Sequence, residues 1–391
     1  MSRKSLEVAI EPKILSWARE SIGRSIQEVA KRMSVSENTV NSWELGEKKP
    51  TLLQLEKLAK TIYKRPLAAF FLSTPPIDPP LPADYRVLPT DKKLPFSAKT
   101  RLAIRRARRL QTLATELMEN LNKGASKVGS LKLSDNPEDA AAKIRQESEI
   151  SIDKQLKWKN SNEAFNAWKR FLEDRRILIF QMSLPLEDAI RGFSLADGKI
   201  PTVVLNIKDS INGRIFSLFH EYAHLLLNES GVCNMGEQDN LPKDKAIEKF
   251  CNHFSGSFLV PKNDLASHSV VKSMKQYTKI SDEILENIAN DFKVSKEVIL
   301  LRMVTFGWVP KEMYKQKHEE WEGKRKEIPE EARMYKISQP KKCIRENGIP
   351  FVSLVMEAHN KGVITYRDIS DYLGVRTRHL PKIEQLISEK V

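Results

Sequence analysis

At 391 residues the chain exceeds what one hydrophobic core usually supports, so two or three domains are expected, and 40% hydrophobic with 30% charged residues permits several packed cores. The net charge of +14 favours polyanionic partners such as nucleic acid or an acidic membrane face. Cys233, Cys251 and Cys343, odd in number and widely spaced, exclude a disulfide framework and a CxxC knuckle; with neither a signal-peptide core nor a run of ~18 apolar residues, a cytoplasmic protein that avoids the membrane is expected.

Residues 12–72 read as short helices, ended by the proline-dense STPPIDPPLP at 73–82. Within them, SIQEVAKRMSVSENTVNSWELGEKKP has helix-turn-helix spacing. Ala30 sits where two helices approach closely, Val35 lies in the turn, and Val40 and Trp43 form the inner face of the next helix. Ser36 is a good N-cap, and Glu37, Asn38, Asn41 and Ser42 are placed outward, short polar groups suited to reading base edges. Lys48 and Lys49 follow the turn at Gly46, where a phosphate backbone can pass. The bland alternative is a helical bundle used for protein contacts. These residues resemble the XRE family of phage-repressor-like domains over 11–72. Two departures stand out: Ser34 replaces the usual turn glycine, and Ile26 replaces a phosphate-clamping glutamine.

A long helix is expected from Ser97 to about Asn122, with Ala103, Ala107, Leu110, Ala114, Leu117 and Leu121 at a seven-residue period that suits pairing with another helix. Between 86 and 109 the cations Arg86, Lys92, Lys93, Lys99, Arg101, Arg105, Arg106, Arg108 and Arg109 face one acid, Asp91. This is either a solvated helix face or a phosphate-tracking surface. After a helix over EAFNAWKRFLED come three β-rich runs, RRILIFQM, AIRGFSL and PTVVLNI, the last two flanking an Asp197-Gly198 turn. The last run is read as an edge strand able to receive an extended substrate.

The next helix, IFSLFHEYAHLLL, is apolar on nearly every side except for His220, Glu221 and His224. Histidines four apart leave one helix face together and can reach one metal ion, while Glu221 is placed to take a proton from metal-bound water. Burying three ionisable groups is costly unless they are paired or metal-bound, which a satisfied core histidine does not explain. A third ligand is needed. On the helix over about 244–259, Ile247, Phe250, Cys251, Phe254 and Phe258 make the buried stripe, and Glu248 borders it, equally readable as a ligand or as a surface partner of Lys245. Cys233 and Asp244 are weaker ligand candidates. His253, one turn on, is a candidate oxyanion stabiliser or a plain surface histidine.

FHEYAHLLL followed by IEKFCNHFSGSFLVP is similar to the ImmA/IrrE family of zinc metallopeptidases, over about 150–308. The resemblance places the third zinc ligand on Glu248, with Cys251 and Ser255 standing for the family's alanines. ADYR at 83–86 is close to an Asp-Phe-Arg typical of members fused to an XRE domain. It implies a narrow protein substrate, a repressor or antitoxin cleaved once, with transcription of mobile-element, stress or toxin-antitoxin genes as output. The chain's own exposed linker at 73–96 is a further candidate substrate. A toxin partner and a homodimer are compatible with it, and so is a regulator or antitoxin whose peptidase fold senses a partner without turnover.

The fold expected is α+β, mostly helical. A lambda-repressor-like helical domain binds duplex DNA over 1–73, and a proline-rich linker with the basic long helix covers 74–150. A zincin-like metallopeptidase domain with a small β-sheet and the HExxH helix covers 151–312. The remainder, 313–391, is a charged linker (EEWEGKRKEIPEEAR) and a helical region in which ITYRDISDYLGVRTRHL reads as either a second helix-turn-helix or a dimerisation element.

Overall fold

The computed structural model describes residues 6–84, 96–124, 128–229, 231–233, 242–273, 280–326 and 337–389. The chain forms two compact units, one from Met1–Leu81 with Lys92–Arg106, the other from Pro82–Asp91 with Ala107–Val391.

The first unit is helical: α1 (Pro12–Glu20), α2 (Ile26–Met33), α3 (Glu37–Leu45) and α4 (Leu52–Lys57), continued by a π-helical turn (Leu58–Tyr63) and a 3-10 turn (Leu67–Phe71). Ser25 opens α2 with a capping box to Glu28, and Ser36 caps α3 by accepting from Thr39 N. Between them Ser34 adopts the left-handed conformation (φ 59°, ψ 45°), so the turn is made without glycine. Val29, Ala30, Val40 and Trp43 are buried together with Ile14, Leu15, Leu55 and Ile62. The expected helix-turn-helix is therefore present.

The second unit includes strand β1 (Ala83–Asp84) and most of α5 (Ala98–Asn120), whose first residues belong to the first unit. It continues with α6 (Pro137–Glu147), α7 (Ile152–Leu156), α8 (Ser161–Glu173), β2 (Leu178–Met182), β3 (Gly192–Leu195), β4 (Thr202–Asn206) and α9 (Ile211–Leu226). Then come β5 (Gly231–Cys233), α10 (Pro242–Leu259), α11 (Lys262–Ser267), α12 (Ser269–Ser273), α13 (Asp282–Phe292), α14 (Lys296–Thr305) and α15 (Lys311–Lys326). The described chain closes with α16 (Gln339–Asn347), α17 (Ile349–Asn360), α18 (Tyr366–Leu373), a 3-10 turn (Thr377–His379) and α19 (Leu380–Ser388).

The described strands make a mixed sheet in the order β1-β5-β3-β4-β2, with β3 antiparallel to β4 and β5, and β2 parallel to β4. Every residue of β2, β3 and β4 is buried, which explains their near-continuous apolar runs. The expected edge strand, PTVVLNI, contains β4 and lies between β3 and β2. Its hydrogen-bonding edges are both occupied, so it cannot take an added peptide strand. The Asp197-Gly198 turn does join β3 to β4, and a Cβ at Gly198 would lie 2.6 Å from the Gln111 amide, which would have to move. Gln111, on α5, donates to the carbonyls of Leu195 and Ile200. The apolar stripe of that helix is buried at Ala107, Leu110, Ala114 and Leu117.

Two stretches outside the 151–312 bounds expected for the peptidase-like domain, or read as a charged linker, belong to the core of this unit. Ala140, Ala141 and Ile144 of α6 pack with Trp168, Phe219 and Phe258, and Trp321 of α15 joins the same cluster. The charged EEWEGKRK is therefore helix through Lys326, held by a Trp321 indole N–H that donates to Asp282 at 2.7 Å. The remainder of that stretch lies outside the described residues. Of the basic run, Arg86, Lys92 and Lys93 also lie outside them.

Candidate metal centre

The residues of α9 are buried on nearly all faces because the helix runs between the sheet on one side and α8 and α10 on the other. Ser210 caps its start, and Phe219 stacks on Phe258 of α10 with ring centroids 4.1 Å apart. Ser255 of α10 donates to the carbonyl of Phe216 at 2.9 Å. These contacts fix the register between the two helices. That register sets Glu248 opposite His220 and His224.

Glu248 Oε2 lies 3.2 Å from His220 Nε2, Glu248 Oε1 lies 2.9 Å from His224 Nε2, and the two Nε2 atoms are 3.3 Å apart. Two nitrogens each ~2.05 Å from one tetrahedral ion would be separated by about 3.3 Å, so the two histidines already hold the spacing of zinc ligands. All three side chains are buried. A surface pairing of Glu248 with Lys245 is thereby replaced by a buried one with histidine. Two imidazoles and a carboxylate make a borderline donor set that would suit zinc.

The buried groups of the cluster shift one another's protonation. Burial pushes Glu248 up, but the two histidines outweigh it and hold the carboxyl far below its ordinary range. Burial pushes His220 down, yet the Glu248 carboxylate overcomes this and the net shift is upward. For Glu221 burial dominates and raises it against the pull of both histidines. The Cys251 thiol, buried one turn beyond Glu248, is pushed well above its usual value and stays protonated.

Glu221 stands beside the cluster, facing β3. Gly192 and Ser194, two apart and so on one face of that strand, border it. A Cβ at Gly192 would sit 3.3 Å from Glu221 Oε1 and 2.9 Å from the Val204 carbonyl oxygen. Sequence reading missed this residue, though a glycine inside a β-rich run signals a close approach. His253 is not brought to the cluster: its Nε2 is 2.7 Å from Glu138 Oε1, and Arg302 shares that carboxylate. It is therefore a structural partner of α6, because its position on α10 turns it away from the face that carries Glu248. Asp244 is not in the metal-ligating group found among the described residues, and the side chain of Cys233 lies outside them.

In the helix-turn-helix, Glu37, Asn38, Asn41, Lys48 and Lys49 are exposed as expected. Ser42 is half-buried and donates to Glu47 at 3.0 Å, so its hydroxyl is already engaged. The orientation of α3 depends on a pair that sequence reading overlooked: Arg19 of α1 forms a two-pronged bridge to Glu44 at 2.8 and 2.9 Å and also donates to the Arg24 carbonyl.

Comparison with known families finds two matches. The Peptidase_M78 family, described as the IrrE N-terminal-like domain, matches residues 172–304, and a helix-turn-helix family matches 15–62. A search of the curated proteins finds no match to the chain. The first segment contains the HTH helices and the second contains all of α9 and α10. The chain thus joins an XRE-type helix-turn-helix domain to a domain of the ImmA/IrrE-like peptidase family.

Proposed function

We propose that this chain is a DNA-binding, zinc-dependent endopeptidase that changes transcription by cleaving a repressor or antitoxin near the DNA it occupies. The observation that carries the reading is the convergence of His220 Nε2, His224 Nε2 and a Glu248 oxygen on one buried point, with a second carboxylate, Glu221, next to it. When bound there, zinc polarises a peptide carbonyl and acidifies a water. Glu221 is assigned the proton traffic: a carboxylate oxygen takes a proton from the attacking water and returns it to the leaving amine. Gly192 keeps the space in which that carboxylate stands. His220, His224 and Glu248 hold the ion, and exposed Glu37, Asn38 and Asn41 with Lys48 and Lys49 hold the duplex.

Elemental analysis of protein purified without chelator should give about one zinc per chain, and His220→Ala or Glu248→Ala should lose most of it. Glu221→Gln should keep zinc and DNA affinity but lose cleavage, because it removes the base and preserves the shape. Cleavage is scored by a proteome-wide survey of new N-termini and by reporter output from the native promoter under stress. Full zinc retention in the Glu248 variant would falsify the ligand assignment. Equal reporter output and no cleaved product from parent and Glu221→Gln would leave a metal-braced sensor as the better account. The chain's own linker is a second candidate substrate, since Ile77 within it is 99% exposed. Mass spectrometry of the zinc-loaded protein would show a cut between 73 and 96 in the parent alone.

A further inference from the structure

The turn that defines the N-terminal helix-turn-helix occurs three times among the described residues. In each, a capped helix ends on a left-handed residue, a valine follows, and the next residue is extended and starts a second helix. In the first, Ser34 (φ 59°, ψ 45°) is followed by Val35 and by Ser36 (φ −74°, ψ 155°). In the second, Lys293 (φ 57°, ψ 39°) ends α13, and Val294 leads to Ser295 (φ −82°, ψ 152°), the cap of α14. In the third, Gly374 (φ 66°, ψ 33°) ends α18, and Val375 leads to Arg376 (φ −77°, ψ 144°), from which the chain runs through a 3-10 turn into α19.

The first and third copies agree further. α2 and α18 are both eight residues long and both open with a capping box, Ser25 with Glu28 and Thr365 with Asp368. Val29, Met33, Val40 and Trp43 have buried counterparts at one constant offset: Ile369, Leu373, Leu380 and Ile383. What separates the copies is the face that a recognition helix turns outward. In the second copy the positions equivalent to Asn38 and Asn41 are Glu297 and Leu300, which are 1% and 0% exposed, so that face is spent on the peptidase core. In the third, the equivalents of Glu37, Asn38, Asn41 and Ser42 are Thr377, Arg378, Pro381 and Lys382, and all four are exposed. Arg376 is exposed in the turn and Arg367 at the start of α18. No acid interrupts the sequence between Asp371 and Glu384. In the first copy, the turn and second helix over 34–43 carry Glu37 and no cation.

We propose that α18 and α19 form a second duplex-DNA-binding helix-turn-helix, with Arg378 and Lys382 presented to the groove and Arg367 and Arg376 to phosphates. The assignment is independent of the peptidase reading, since it uses none of the metal-site residues. It gives one chain two duplex contacts, so a DNA carrying two sites is held more tightly than either contact alone allows.

The test uses the full chain and a random 30-base-pair duplex, with affinity measured by fluorescence anisotropy over a salt series. Removing one phosphate-binding cation lowers the log–log salt slope by about one. Replacing Arg376, Arg378 and Lys382 together by Ala should flatten the slope by about one, from the lost Arg376 phosphate contact, and weaken binding about tenfold or more. The three are exposed, and an unchanged melting curve checks the fold. Arg376→Lys with Arg378→Lys, which preserves both charges, should keep most of the slope. Hydrogen exchange supplies a second readout, with amides of 376–383 protected when duplex is added. An unchanged slope and affinity in the triple variant, with protection confined to 26–49, would overturn the proposal and assign this surface to a protein partner or to none.

Discussion

Ser34 holds a backbone conformation that costs an L-residue about 1–2 kcal/mol, a cost glycine avoids while losing some of the gain to its freer unfolded chain. Ser34→Gly should therefore stabilise the first unit by about 0.5–1 kcal/mol, read as an upward shift of its urea midpoint. At Gly192 the balance runs the other way. A methyl group there meets the Val204 carbonyl at 2.9 Å and Glu221 at 3.3 Å, and the backbone oxygen has no room to move inside a sheet buried on both faces. Gly192→Ala should cost about 1–3 kcal/mol and should displace Glu221, so that under the proposed function cleavage falls while bound zinc is retained. Loss of zinc along with activity would mean that the strand, and not the carboxylate alone, had shifted.

Among elements, the basic stretch of α5 divides according to what each arginine faces. Arg105 donates to the carbonyls of Tyr63 and Lys64 at the end of the π-helical turn, and burial lowers its pKa to about 10. Arg101 donates to the Phe96 carbonyl, and Arg108 pairs with Asp197. Neither the solvated face nor the phosphate-tracking surface describes these three, because each is engaged within its own unit: Arg105 on carbonyls that the π-helical turn leaves without donors, Arg101 on the carbonyl just before its own helix, and Arg108 on a carboxylate. Arg106 and Arg109 are exposed. Arg105→Ala should thus destabilise the first unit by about 1–2 kcal/mol and leave the salt slope of DNA binding unchanged. Arg106→Ala should leave stability unchanged, and a slope lower by about one would mark a phosphate contact. Spacing placed these cations on one helix; it carried no information about which carbonyls lie within their reach.

In the larger unit, Glu138 ties three helices together through His253 and the fully buried Arg302. Burial alone would raise its pKa, but the bonds from His253 and Arg302 prevail and hold it far below the ordinary 4.5. A carboxyl depressed in the folded state stabilises fully above its unfolded value and loses that contribution as pH falls through the folded one. Urea midpoints should fall steeply as pH drops below about 4.5, and Glu138→Gln should be less stable at pH 7 with a flatter decline between about pH 5 and 3. Parallel declines in the two proteins would remove Glu138 from the account of acid lability.

What the sequence by itself determined were features that repeat over a few residues. The HExxH pair follows from 3.6 residues per turn, the first helix-turn-helix from caps and apolar spacing, and the β3–β4 hairpin from a turn between two β-rich runs. Even the ambiguous ITYRDISDYLGV already contained Thr365, Asp368 and Gly374, the signals that cap and end α18. Tertiary structure decided whatever depends on residues far apart in the chain. Glu248 was legible from spacing only as a ligand or a surface partner, and the packing of α10 on α9 made it face the histidines. PTVVLNI looked like an edge because an apolar run does not state its neighbours, and the strand order placed it inside. The three copies of one turn differ in the same way. Local sequence writes each of them, but whether the second helix faces solvent or a core is set by the chain that packs against it.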